Sequence, residues 1–137
     1  MSDQTIITAL QIRLESFATS KGLLIAYEGA RFAPAADKMH LAEFLLPVPT
    51  DNPSMGRGHR RYTGTYQVDV DAPTGSNIVT LRTRANELAA HFKRGTTLTE
   101  SGVTVLITHD PAISRLLPDA GRMKRAVSIR YQADIFT

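Results

Sequence analysis

Cysteine is absent from the sequence, which excludes disulfide bonds, thiol nucleophiles and cysteine-ligated zinc sites and fits folding in a reducing compartment. Long apolar runs are also missing. The longest, from Leu41 to Val48, is interrupted by Glu43 and Pro47, whereas a membrane-spanning helix needs about 20 apolar residues. The N-terminus is polar, without the basic and apolar segments of a signal peptide. We therefore expect a soluble protein that is made in the cytoplasm.

The composition is that of one ordinary globular domain. The chain has 137 residues, of which 42% are hydrophobic and 21% are charged, enough to build a single hydrophobic core. We therefore expect residues 1–137 to form one domain. The formal net charge is +3 and the isoelectric point is about 9.5. An excess this small is compatible with contact to DNA or to an acidic protein, but it does not identify a nucleic-acid-binding protein.

Apolar residues recur at the helical period in two segments. In residues 3–20 they are Ile6, Leu10, Leu14 and Phe17. The second segment begins with Ser76 or Asn77 as a cap and ends at Gly95. Its apolar residues are Ile78, Leu81, Ala85, Leu88 and Phe92. Each predicted helix therefore has one apolar face that can pack on a sheet.

Alternation of apolar and polar residues predicts strands. It is clearest over residues 62–70 and again over residues 125–136. Shorter apolar segments predict further strands at residues 23–27, 39–46, 96–100 and 103–108. The predicted order is α-β-β-β-α-β-β-β, which indicates an α+β fold with two helices packed on one mostly antiparallel, twisted β-sheet.

Two stretches between these elements are expected to be loops. Residues 47–61 are rich in proline and glycine and carry a basic cluster, which consists of Arg57, His59, Arg60 and Arg61. A connection this long is commonly functional or flexible. Residues 109–121 form the other expected loop, and a second basic group follows it, which includes Arg122, Lys124 and Arg125. Both groups are either solvated surface or contacts for an acidic partner or passing DNA, because guanidinium groups bind carboxylates and phosphates alike.

No pattern in the sequence indicates a catalytic, cofactor or metal site. None of the four histidines has the spacing of a helical metal site. His109 and Asp110 are adjacent on an extended segment, so their side chains point to opposite faces. Asp69, Asp71 and Glu43 are better explained as a solvated sheet face than as a hydrolytic cluster. An enzyme that uses His109 with Asp69 or Asp110 is an alternative, but no nucleophile or metal accompanies these groups, and we expect no enzymatic activity.

Several short phrases follow one another along nearly the whole chain. They include Ile25-Ala26-Tyr27-Glu28, Phe32-Ala33-Pro34, the strand from Arg61 to Val70, Phe92-Lys93-Arg94-Gly95 and the segment from Val127 to Ala133. Together with the order of the elements, these phrases resemble the tail terminator proteins of long-tailed bacteriophages and prophages, the small proteins that cap the tail tube.

The resemblance implies a structural protein of the virion. Such a protein forms a ring, commonly a hexamer, on the last ring of tail tube protein, stops tube polymerisation and offers a surface to the head–tail connector protein. DNA is then only passing cargo, and the protein is in the bacterial cytoplasm before it joins the tail. The two basic groups become candidate contacts with the tube protein, a neighbouring subunit or the DNA channel. A head–tail connector or completion protein and a basic nucleic-acid-binding module remain alternatives.

Overall fold

The computed structural model describes residues 2–29, 38–48, 59–75, 78–119 and 121–136. Its elements in chain order are α1 (Ser2–Lys21), β1 (Leu24–Ala26), β2 (His40–Pro47), β3 (His59–Pro73), α2 (Ile78–His91), β4 (Thr97–Glu100), β5 (Val103–Ile107), β6 (Ala112–Ile113), β7 (Leu117–Asp119) and β8 (Arg122–Phe136). The expected α+β fold and the order of its elements are confirmed. The expected loop at residues 109–121 is wrong in part, because it contains β6 and β7, which are too short for alternation to reveal them. The expected caps Ser76 and Asn77 lie outside the described residues.

One sheet contains all of these strands, in the order β1-β2-β3-β8-β5-β4, with β6 and β7 also paired to β8. Only β1 and β2 pair in parallel among the described strands. The centre is the antiparallel pair β3–β8, which runs from His59 opposite Phe136 to Pro73 opposite Arg122. One flank of this pair carries β2 and β1. The other flank carries β4 to β7.

Both helices cover the same face of the sheet, and the core lies between them and the strands. Tyr66, Val68 and Val70 alternate along β3 and are fully buried, as expected for the covered side of a sheet. Leu10 and Leu14 of α1 are fully buried as well. Helix α2 packs on β3, β6 and β8, whereas α1 touches β4 and β5 near one edge and β1 at the other. The sheet therefore curls until its two edge strands both meet α1.

The two helices are joined at the C-terminal end of α2. The Arg13 guanidinium donates hydrogen bonds to the His91 carbonyl oxygen from Nε at 3.1 Å and from Nη2 at 2.8 Å. The His91 ring nitrogen Nε2 lies 2.9 Å from the Arg13 carbonyl oxygen, and the ring stacks at a tilt on Phe17. A cation at the C-terminus of a helix is stabilised by the helix dipole. Burial lowers the pKa of His91.

The carboxylates expected on a solvated face are not solvated, so that expectation is wrong. Glu43 is 1% exposed and Asp69 is 3% exposed. Glu43 stands opposite Val68 in the β2–β3 ladder, so it points into the core, where Gln11 Nε2 donates to its carboxylate at 2.6 Å. Asp69 is on the opposite face. The sheet therefore separates the two groups, which do not form a cluster.

The connection expected at residues 47–61 is shorter in the structure, because the strands on both sides extend further into it than expected. β2 continues to Pro47, and β3 begins at His59 rather than Tyr62. The extension forms because β8 continues to Phe136 and supplies backbone partners for residues 59–61. Residues 49–58, including Arg57, lie outside the described residues.

Candidate assembly surface

The face of the sheet away from the helices carries a row of ion pairs along β3 and β8. The pairs are Arg61–Asp134 at 2.9 Å, Arg122–Asp71 at 2.5 Å and Lys124–Asp69 at 3.5 Å. Arg61 stands directly opposite Asp134 in the ladder, and residues directly opposite each other share a face. An acidic partner therefore balances each of these bases, and this face is not a continuous basic stripe.

Arg122 also ties β8 to the beginning of β2. Its Nη2 atom donates to the Lys38 carbonyl oxygen at 2.8 Å and lies 3.4 Å from His40 Nδ1. Burial lowers the pKa of His40, while the Asp71 carboxylate opposes this effect and the Arg122 cation adds to it. Arg122 is thus a half-buried structural contact rather than a freely projecting charge.

The other basic residues in the predicted set have different surroundings. Arg60 is exposed and has no ion-pair partner among the described residues. Arg125 points to the helix side, where its Nε donates to the Ser114 carbonyl oxygen at 2.9 Å. His59 begins β3, but its side chain lies outside the description, as does the whole of Arg57. An interface role for this set stays a prediction.

The groups considered for catalysis are each engaged elsewhere. His109 Nδ1 lies 2.8 Å from the Thr108 hydroxyl. The Asp110 carboxylate accepts a hydrogen bond from the Arg94 backbone amide at 3.1 Å. Asp69 is buried beside Lys124. The structure thus does not join His109 to either carboxylate, and within the described ranges no three histidine or acidic side chains are grouped to hold a metal ion.

Large apolar side chains are exposed along the β2 flank of the outer face. We call this group the β2 patch, and its members are Leu24 (64% exposed), Phe44 (38%), Leu46 (51%) and Val48 (53%). Phe44 and Leu46 alternate on one face of β2, as period two requires. The sequence contained a signal for this patch, because the segment from Leu41 to Val48 is apolar at positions that face both sides. Exposed apolar patches mark interaction sites.

A second exposed apolar group lies on the other flank of the central pair. We call it the α2 patch, and its members are Ile78 (42% exposed), Val79 (66%) and Leu116 (37%). Ile78 and Val79 form the first turn of α2, which packs on β6, and Leu116 follows β6 by a few residues. Sequence reasoning assigned Ile78 to the apolar stripe of the helix and so missed its exposure.

The described helices include none that is both long enough and apolar enough to cross a membrane.

A search among curated proteins found no match. The structure is similar to one solved chain with a TM-score of 0.81 and 24% sequence identity, over 100% of this chain and 97% of that chain. It is also similar to a chain in a structure described as "Virion of native gene transfer agent (GTA) particle", with a TM-score of 0.59 and 13% identity, over 98% of this chain and 97% of that chain. At these identities the likenesses show a shared fold.

The profile of a protein family described as "Phage tail terminator protein" matches residues 5–131. This span takes in both helices, every strand of the sheet down to the middle of β8, and both exposed apolar patches. The match indicates a structural component of a phage tail. The chain therefore belongs to the phage tail terminator protein family.

Proposed function

We propose that this chain assembles as a ring on the end of the tail tube, stops the polymerisation of the tube protein and provides the surface to which the head attaches. The observation that carries the proposal is the family match over residues 5–131. The similar fold of a chain in a gene transfer agent virion supports a place in a phage-like particle. The partners are then the tail tube protein, further copies of this chain and the head–tail connector protein.

The surface is suited to assembly rather than to chemistry. Its central strands carry paired charges, whereas its two flanks expose apolar side chains. Ring formation needs a contact between two different surfaces of the same chain, repeated by rotation until it closes. In this proposal the exposed Arg60, with Arg57 and His59 close to it in sequence, contacts the tube protein or a neighbouring subunit or borders the channel. DNA passes through the ring as cargo, and the free protein is in the bacterial cytoplasm.

Tube growth in the presence of this chain tests the proposal. The tail tube protein of the same phage would be polymerised in vitro with increasing amounts of the chain, and tube lengths would be measured by electron microscopy. We expect shorter tubes whose ends carry an added ring, because a capped end cannot accept another tube ring. Tubes of unchanged length with no bound chain would contradict the proposal. Binding to the connector protein but not to tubes would instead indicate a head–tail connector.

A further inference from the structure

The two exposed apolar patches lie on opposite flanks of the β3–β8 pair. The β2 patch lies beyond β3, on the side of β2 and β1. Leu116 of the α2 patch lies beyond β8, between β6 and β7, which pair with that strand. Ile78 and Val79 begin α2, which packs on β8, β3 and β6. They are thus two different surfaces on two sides of one subunit. A head-to-tail contact between copies requires this arrangement, whereas a two-fold contact would use one surface twice.

One acidic group lies at the edge of the β2 patch, and two basic groups lie beside the α2 patch. The Glu28 carboxylate accepts a hydrogen bond from the Leu45 backbone amide at 2.8 Å, which places negative charge at the edge of β2 beside Leu45. Arg82 lies one turn after Ile78 and Val79 on α2, and Arg115 directly precedes Leu116. Both arginines are exposed, and neither has an ion-pair partner among the described residues. A copy that offers its α2 patch therefore brings Arg82 and Arg115 to the Glu28 edge of the β2 patch, whereas the exposed Arg130 lies at its other end, beside Val48.

We propose that the β2 patch of one copy packs on the α2 patch of the next, and that this contact is the subunit interface of the ring. This inference rests on the proposed function. It adds the residues that form the contact between neighbouring subunits, which the proposed function leaves undefined. Phe44, Leu46 and Val48 provide the apolar centre on one side, and Val79 with Leu116 provides it on the other. Arg82 and Arg115 lie at the rim, where they approach Glu28 of the neighbouring copy.

Cysteine cross-linking tests this interface cleanly, because the natural chain contains no cysteine. The variants are Leu46→Cys and Val79→Cys, both at exposed positions. We expect neither variant to cross-link alone and their mixture to give a disulfide-linked dimer. A chain with both substitutions should give a ladder that ends at the ring size. Leu106→Cys is the matched control, because Leu106 is an exposed leucine on β5 that belongs to neither patch. Its mixture with Val79→Cys should remain uncross-linked.

Charge reversal is a second test of the same interface. Arg82→Glu combined with Arg115→Glu should weaken assembly by roughly two- to thirtyfold, as expected for two rim charges. Lys93→Glu is the control, because it removes an exposed cation beyond the other end of α2 and should leave assembly unchanged.

Light scattering, with and without tail tubes, separates the possible outcomes. Oligomers with the expected cross-link support the interface. If oligomers form but the mixture of Leu46→Cys and Val79→Cys does not cross-link, the proposed interface is wrong, whereas the proposed ring is not contradicted. Cross-linking by either single variant alone shows a two-fold contact and also overturns it. A chain that stays monomeric and binds no tubes overturns the proposed function together with this inference.

Discussion

The Tyr66 hydroxyl donates a hydrogen bond to the Glu43 carboxylate, and the two side chains are 0% and 1% exposed. Burial, and then the hydrogen bond to Glu43, raises the pKa of Tyr66, so the phenol remains a donor. Gln11 supplies the second donor to the carboxylate from α1. Three elements of the fold thus meet at one carboxylate that has no cation beside it among the described residues.

Tyr66→Phe should destabilise the protein by about 1–3 kcal/mol, because it leaves a buried carboxylate with one donor fewer. Urea unfolding followed by circular dichroism measures the change. Tyr27→Phe is the matched control, since it removes a phenol that donates to Glu15 at the surface, and it should cost less than about 1 kcal/mol. An equal loss of unfolding free energy in the two variants would show that burial of Glu43 does not make its hydrogen bond from Tyr66 more important for stability.

Gly64→Ala should destabilise the sheet by about 1–3 kcal/mol, the usual cost of overpacking. A Cβ atom at this position would lie 2.6 Å from the Leu46 carbonyl oxygen and 2.7 Å from the Tyr131 hydroxyl. Adding Tyr131→Phe removes one of these close contacts, so the double variant should lose less than the sum of the single losses. Strict additivity in urea unfolding would contradict the close packing of Gly64 against Tyr131.

Arg13→Met should cost about 1.5–3 kcal/mol, because it removes two charge-assisted hydrogen bonds to the His91 carbonyl while keeping the aliphatic length of the side chain. The free energy of unfolding is the quantity to measure. Arg82→Met is the control, since Arg82 is an exposed arginine on α2, and it should change stability by less than about 0.5 kcal/mol. A similar loss in both variants would argue against a link between the two helices at Arg13.

The stability of the protein should fall as the pH drops below about 6.5. Burial lowers the pKa of His40 and of His91 from the ordinary value of 6.5, so the unfolded chain binds more protons than the folded chain as the solution becomes acidic. The two histidines contribute their full stabilisation when the pH is above their pKa in the unfolded chain. This stabilisation is lost as the pH falls towards their lower pKa values in the folded protein. Urea midpoints between about pH 7.5 and pH 5.5 measure it. The double variant His40→Gln, His91→Gln should show a shallower slope, and an unchanged slope would contradict this assignment.

Plain duplex DNA should bind weakly at about 0.15 M salt, because acidic partners balance Arg61, Arg122 and Lys124 on the outer face. Fluorescence anisotropy with a labelled duplex measures the affinity. The double variant Asp71→Asn, Asp134→Asn frees Arg122 and Arg61 from their acids, so it should bind more tightly than the natural chain. Tight binding by the natural chain that weakens steeply with salt would instead favour the nucleic-acid-binding alternative.

The helices and the long strands could be predicted because their signals are local. The alternation from Tyr62 to Val70 and the apolar stripe of α2 are visible in short windows of sequence. β6 and β7 could not be predicted, because strands of two and three residues exist only where β8 offers a free edge.

The surface was less predictable than the fold, because it depends on register. Arg61 meets Asp134 only when β3 and β8 pair over their full length, and a shift by one residue would move every side chain to the other face. The environment of Glu43 could not be predicted from the sequence either. Its position in an apolar strand is evident from the sequence, but its burial depends on Tyr66 and Gln11 from distant elements.

β8 pairs with β3, β5, β6 and β7, although it is formed by the last segment of the described chain. During synthesis the centre of the sheet cannot form until this segment leaves the ribosome, because β3 lacks its long partner until then. Contacts between residues far apart in sequence slow folding, and an unpaired β3 edge can join the same edge of another nascent chain. The emergence of β8 from the ribosome is thus the step that commits the chain to its own sheet rather than to aggregation.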